Sequence, residues 1–182
     1  MGNVRLVKPS LAYREAYMDF YEDWLTEGVE AIVPWVVEGD PQDFEAYVAF
    51  LYAADSEEKL TDDGFVPHST YWLINEEEEI VGAVNIRHRL NQKLLESGGH
   101  IGYGIRPSRR GRGYASVQLA EALKVVKGMG IERVLLVCDH DNEASERTIR
   151  RAGGVLESLF TTDKGEVLKR FWIDGREQAA EL

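Results

Sequence analysis

Between His100 and Cys138 the chain reads "HIGYGIRPSRRGRGYASVQLAEALKVVKGMGIERVLLVC", a strand-like run that passes through a basic, glycine-containing turn straight into a helical pattern. Leu119, Ala122, Leu123 and Val126 recur at helical spacing, and Gly128 and Gly130 close that segment. "RVLLVC" is then continuously apolar, as a buried strand requires. A strand, a crossover helix and a second strand leave few folds open beyond a sheet with helices packed on it.

The flanking sequence fills in that layout. "NVRLVKP" alternates apolar and polar residues and stops at Pro9, which predicts a short first strand with Ser10 as the next N-cap. Leu11 to Gly28 predicts an amphipathic helix. A second helix is expected from Asp40 as cap and Pro41 at the first helical position, with Phe44, Tyr47, Val48 and Leu51 on one face. "STYWLIN" and "EIVGAVNIRHRL" predict a hairpin around Asn75 to Glu78, and "HIGYGI" a further strand. "NEASERTIRRAGG" predicts a short helix, and "VLESLFTT" and "EVLKRFWI" a closing hairpin. The expected architecture is α/β (α+β): one domain over residues 1–182, with a mixed, mostly antiparallel sheet flanked by helices.

Composition narrows the function. The chain has 32 acidic against 21 basic residues, a net charge of −11, which argues against nucleic-acid binding by general electrostatics. Cys138 is the single cysteine, "MGNVRLVKPS" lacks the layout of a secretory signal, and no apolar run approaches membrane-spanning length. A cytoplasmic protein without membrane partners, monomeric or homodimeric, is the expectation.

Against that acidity, Arg106, Arg109, Arg110 and Arg112 crowd one turn. Free backbone amides at a helix start, together with the positive end of the helix dipole, form an anion site. Gly111 and Gly113 let the main chain bend tightly and approach a bulky group, and the arginines add charge-assisted bonds. The turn therefore suits a phosphate, most naturally a pyrophosphate. A solvated turn with arginines free in water is the plain alternative. The sequence holds no G-x-x-x-x-G-K-[ST], and the dinucleotide fingerprint fails at its third glycine, where Ser116 stands.

These residues resemble the GNAT superfamily of acyl-CoA-dependent N-acetyltransferases. Arg110-Gly111-Arg112-Gly113-Tyr114-Ala115 fits the family loop [RQ]-x-x-G-x-[GA], and "NEASERTIRRAGG" is similar to its second conserved block, with Asn142 and Ser145 in register. "NIRHRLNQKLL" followed by "GGHIGYGIRP" is similar to a subgroup of predicted acetyltransferases, so the resemblance supplies the donor and leaves the acceptor open. It implies acetyl-CoA as cosubstrate and no metal. It also implies fourth and fifth strands that splay apart, with the cosubstrate held by Ile105, Arg106, Arg110 to Ala115, Asn142 and Ser145.

The implied reaction is direct attack of a neutral primary amine, on a small molecule or peptide, upon the thioester. An alkylamine with a pKa near ~10.4 needs help losing its proton. His100 is the first candidate base and His88 the second, each with a polar strand-end residue as the plainer reading. The backbone N–H of Ile105 or Arg106 is the candidate oxyanion donor. Many family members carry an acid Tyr seven residues after the Asn; here that position is Ile149. Ser145 is the substitute, beside the simpler reading of a hydroxyl in a helix turn capped by Asn142, or release of thiolate to solvent.

Two other classes stay open: a non-catalytic acyl-CoA-binding or sensing module, and a Rossmann-type NAD binder. "CDHDN" carries metal-friendly groups without a second ligand pair, and Cys138 reads as core. The aromatics Tyr13, Tyr17, Phe20, Tyr21 and Trp24 read as core rather than pocket. The links "TEGVEAIVPWVVEGD" and "TDDGFVPH" are the better acceptor walls, with Trp35, Phe65 and acids suited to a cationic amine.

Overall fold

The computed structural model describes residues 3–26, 32–39, 41–59 and 64–174. Seven strands and four α-helices follow the expected order. They are β1 (Arg5–Val7), α1 (Arg14–Thr26), α2 (Phe44–Ala53), β2 (His68–Ile74), β3 (Ile80–Arg87), β4 (Ile101–Ile105), α3 (Tyr114–Gly128), β5 (Arg133–Asp139), α4 (Glu143–Arg151), β6 (Val155–Thr161) and β7 (Val167–Asp174).

Local chemistry sets the boundaries. The Ser10 hydroxyl accepts the Ala12 N–H at 3.3 Å and caps a 3-10 turn, Leu11–Tyr13, so α1 starts only at Arg14. The expected end at Gly28 lies outside the described residues. The cap of α2 differs from expectation: Asp43 accepts the Ala46 N–H at 3.1 Å and starts the helix at Phe44, while Asp40 lies outside the described residues. A single π-helical turn, Leu94–Gly98, joins β3 to β4 and has no signal in the apolar periodicity.

The strands form two antiparallel sheets, β1-β2-β3-β4 and β5-β7-β6. They meet where the His100 N–H donates to the Leu135 carbonyl at 2.8 Å. Past that point β4 has no ladder partner on the β5 side, which is the splay that the resemblance implies.

Two cores hold the sheets and helices together. Tyr17, Phe20 and Trp24 of α1 pack with Phe44, Tyr47 and Leu51 of α2 against Trp72 on β2. This stripe is core, as its helical spacing suggests. Leu119, Ala122 and Val126 of α3 pack with Ile149 of α4 and Phe171 of β7 in the second. Each buried Leu, Ile, Val or Phe among them contributes about 1.5–3 kcal/mol. Through these contacts α3 and α4 bridge the gap between the sheets and fix the width of the opening.

Candidate active site

The turn entering α3 has the backbone that its glycines imply. Gly111 has φ 74° and Gly113 φ 83°, the left-handed region where a β-carbon is strained. Gly113 is also the N-cap of α3, and no side chain caps that terminus. The Ser116 N–H turns back to the Gly113 carbonyl at 3.2 Å, which leaves the Tyr114 and Ala115 N–H groups without an intrahelical acceptor. Such a terminus attracts negative charge.

The four arginines have different roles. Arg106 is buried and points away from the turn: its Nη1 donates to Asp19 at 2.7 Å and its Nε to Asp23 at 2.9 Å. It ties α1 to the β3–β4 edge. Burial works against the Asp23 charge, yet bonds from Arg106 and Ser108 hold its carboxyl below the ordinary range. Arg109 donates to both Glu79 oxygens, at 2.7 and 2.9 Å. Arg110 lies over the Trp24 ring at 5.0 Å and donates to the Ile105 carbonyl at 3.2 Å. Arg112 is exposed.

A cleft of about 370 Å³ opens at this turn. Arg110, Gly111, Gly113, Tyr114 and Ala115 line it from one side, Ile105 from β4, and Asn142 and Ser145 from α4. Arg106 and Arg112 are not among its lining residues. The Arg106 N–H donates to the Val81 carbonyl at 3.0 Å, so of the two candidate oxyanion donors it is the one already committed to the sheet. Ile105 sits opposite Gly82 in the alternate register position, which turns its N–H away from β3 and toward the splay. A β-carbon at Gly104 would collide with the Val33 carbonyl. That close approach makes Val33 part of the cleft wall.

At the first turn of α4 the Asn142 side chain accepts the Ser145 N–H at 3.0 Å. The Ser145 Oγ lies 3.1 Å from the Tyr103 hydroxyl, a partner that sequence reading missed because 42 residues separate the two. Burial pushes the Tyr103 phenol up, only partly offset by the Ser145 bond, so it keeps its proton. Ile149 is fully buried in the core.

The candidate bases lie elsewhere. The Nδ1 of His100 accepts the Leu135 N–H at 2.9 Å in the sheet junction, and burial lowers its pKa to about 4. It does not line the cleft, and its Nδ1 is taken up by the sheet junction, so the geometry gives no support to the expected base role. His88 meets Ser69 at 2.8 Å, within a network containing Asp55, and also lies outside the cleft. Burial pushes the Cys138 thiol up to about 11, against any nucleophilic role.

Two further cavities continue the cleft. One of about 340 Å³ shares Val33, Tyr103, Asn142 and Ser145 with it, and adds Arg87, Cys138 and Asp139. The next, about 580 Å³, shares Trp35, Arg87, Ser97 and Gly98 with the second and is walled by Phe65 and His68. Trp35 and Phe65, expected as acceptor walls, pack there with ring centroids 5.5 Å apart and planes tilted by 41°. Of the acids in the same links, Glu27, Glu30, Asp40, Asp62 and Asp63 lie outside the described residues. Among the described residues no group of three or more metal-ligating side chains is assembled, and no helix is long and apolar enough to cross a membrane.

Residues 3–155 match the family profile described as acetyltransferase (GNAT) domain. Among solved structures, RimJ of Mycobacterium smegmatis in complex with CoA-disulfide is similar at TM-score 0.70 and 18% identity, over 97% of this chain and 84% of that one. YncA of Salmonella typhimurium with its cofactor acetyl-CoA is similar at 0.62 and 14%, over 97% and 96%. A dodecameric spermidine N-acetyltransferase from Vibrio cholerae is similar at 0.63 and 14%, over 97% and 96%. At these identities the likeness is one of fold. No curated protein matches the chain.

Proposed function

The chain belongs to the GNAT acetyltransferase family, and from that premise we propose that it is an N-acetyltransferase that moves an acetyl group from acetyl-CoA to a primary amine within a ternary complex. The observation carrying this reading is the one cleft in which the Gly111–Ala115 turn, Ile105 and the first turn of α4 meet. An uncapped helix terminus preceded by two left-handed glycines fits a pyrophosphate. The splay beside Ile105 fits an extended arm that pairs with backbone.

When bound, acetyl-CoA supplies an activated thioester whose carbonyl carbon takes the amine nitrogen as the bond to sulfur breaks. The Ile105 N–H is aimed at the splay and stabilises the charge that develops on the carbonyl oxygen; one such donor is worth about 10²–10³ in rate. The Tyr103–Ser145 hydroxyl pair delivers a proton to the departing sulfur, in the role that Ile149 leaves empty. Asp139 is the one carboxylate among the described residues of the adjoining cavity, and it draws the amine in and passes its proton to water.

A non-catalytic acyl-CoA-binding module is the second reading, favoured by the buried Ile149. Thiol release from acetyl-CoA across an amine panel separates the two. Amine-dependent release supports the enzyme; saturable acetyl-CoA binding without release supports the module. Thermal protection by NAD and none by acetyl-CoA would discard both.

A further inference from the structure

Arg87 closes β3 at the point where the two outer cavities join. Its guanidinium lies against Gly102 of β4, where a β-carbon would sit 3.1 Å from Nη1 and 3.3 Å from Nη2. The missing side chain at Gly102 is what makes room for it. Nη1 donates to the Gly98 carbonyl at the end of the π-helical turn, at 3.3 Å, a long bond that anchors one of five N–H groups. Among the described residues Arg87 has no carboxylate within ion-pair distance. Arg5, Arg89, Arg106, Arg109, Arg147, Arg150 and Arg170 each have one.

Burial depresses the Arg87 pKa to about 10, and no anion among the described residues counteracts it. The same uncompensated charge helps hold His68 and His100 neutral. Arg87 is half-buried, and a charge partly withdrawn from water is ordinarily paired, because desolvation is costly otherwise. The lining adds Lys93 at the rim of the outermost cavity, and among the described residues that cavity has no Asp or Glu. The middle cavity has one carboxylate, Asp139, on its β5 side. Among the described residues, positive charge thus stands at the outer end of the path and negative charge nearer the cleft.

Resting on the acetyltransferase reading, we infer that the acceptor carries its own anionic group, a carboxylate or phosphate on the same molecule as the amine, and that Arg87 is the residue that reads it. The amine enters toward Asp139 and Ser145 while the anion takes the free N–H fork of Arg87, a geometry that arginine offers and lysine does not. Free amino acids and peptides with an acidic residue at or beside the N-terminus share this chemistry. Polyamines do not, and among the described residues the charged side chains lining the outermost cavity are Arg87 and Lys93.

The test compares kcat/KM for thiol release with free amino acids, their carboxamides, peptides with acidic or neutral first residues, and spermidine. Wild-type protein should favour an anion-bearing acceptor over its neutral counterpart by about tenfold or more, the range of a hydrogen bond to a charged group. Arg87→Met should reduce that preference to about twofold or less, and Arg87→Lys should retain part of it. Acetyl-CoA affinity, measured by calorimetry on each variant, should stay unchanged and reports a folded donor site. The free amino acids and the acidic peptides, as separate arms, identify which source is used. A wild-type preference for carboxamides or spermidine, or an equal loss on charged and neutral acceptors in Arg87→Met, overturns the inference while leaving the acetyltransferase reading intact. Loss of acetyl-CoA binding in the wild type would instead remove the reading on which it rests.

Discussion

The hydroxyls of Tyr103 and Ser145 lie 3.1 Å apart, one from β4 and the other from α4, at the wall shared by the donor cleft and the cavity beyond it. Burial keeps the Tyr103 phenol protonated well past neutrality. In the proposed reaction this pair is the proton source for the departing sulfur. Tyr103→Phe should lower kcat by about 10²-fold or more, as loss of a positioned acid does, with acetyl-CoA affinity unchanged. Ser145→Ala should act in the same direction, and the double variant should cost little more than the worse single one, as for residues acting in one relay. Steady-state kinetics with calorimetry checks both.

Gly113 stands at φ 83° and caps α3 without a side chain. Gly113→Asp adds backbone strain of about 1–2 kcal/mol and sets a negative charge on an anion site. Acetyl-CoA binding should weaken by at least about 10²-fold, while far-UV circular dichroism stays that of the wild type. Arg112→Ala, at an exposed position outside the lining residues, should change affinity by about threefold or less.

His100 separates a structural from a catalytic histidine. His100→Asn keeps an acceptor for the Leu135 N–H, so activity should stay within about threefold, whereas loss of a true base costs about 10²–10⁴. Its effect should appear in stability instead. The folded-state pKa of about 4 lies below the ordinary 6.5, so the unfolded chain binds the proton first as pH falls. This contribution is fully present above about pH 6.5 and is lost between there and about pH 4. Chemical denaturation at pH 7 and pH 5 should show a smaller loss in His100→Asn than in the wild type.

Asp23 reports the strut between α1 and the β4 edge. Its carboxyl is held below the ordinary range, so the stability it supplies is present above about pH 4 and lost as pH falls through its lower folded value. Arg106→Met leaves Asp23, mostly buried, without its main partner and should destabilise the fold by about 1–3 kcal/mol. Asp23→Asn should flatten the fall in melting temperature between pH 5 and pH 2.

Much of this was legible in sequence because the signals are local. The glycines at 111 and 113, the cap at Asn142 and the apolar run of β5 each act through near neighbours, and the order of elements follows from them. Arg106 could not be assigned that way. Its partners Asp19 and Asp23 lie 87 and 83 residues away, so a cluster of four arginines reads as one feature when only Arg109 and Arg110 of the four line the cleft. Tyr103, alternating along a strand, gives no hint that its hydroxyl meets Ser145. Gly104 and Gly102 look like ordinary strand glycines, yet one admits the Val33 carbonyl and the other the Arg87 guanidinium. The displaced cap of α2 is a local error of another kind, since Asp40 with Pro41 and Asp43 both offer acceptable starts and tertiary packing selects the second.

Amine-dependent thiol release from acetyl-CoA, followed in parallel for wild type and Gly113→Asp, bears most directly on the assignment of this cleft to acetyl transfer. The expected result is release that saturates in both substrates, matches the acetylated amine mole for mole, and vanishes in the variant. Saturable acetyl-CoA binding with no release above background hydrolysis, across amino acids, peptides and polyamines alike, would contradict it.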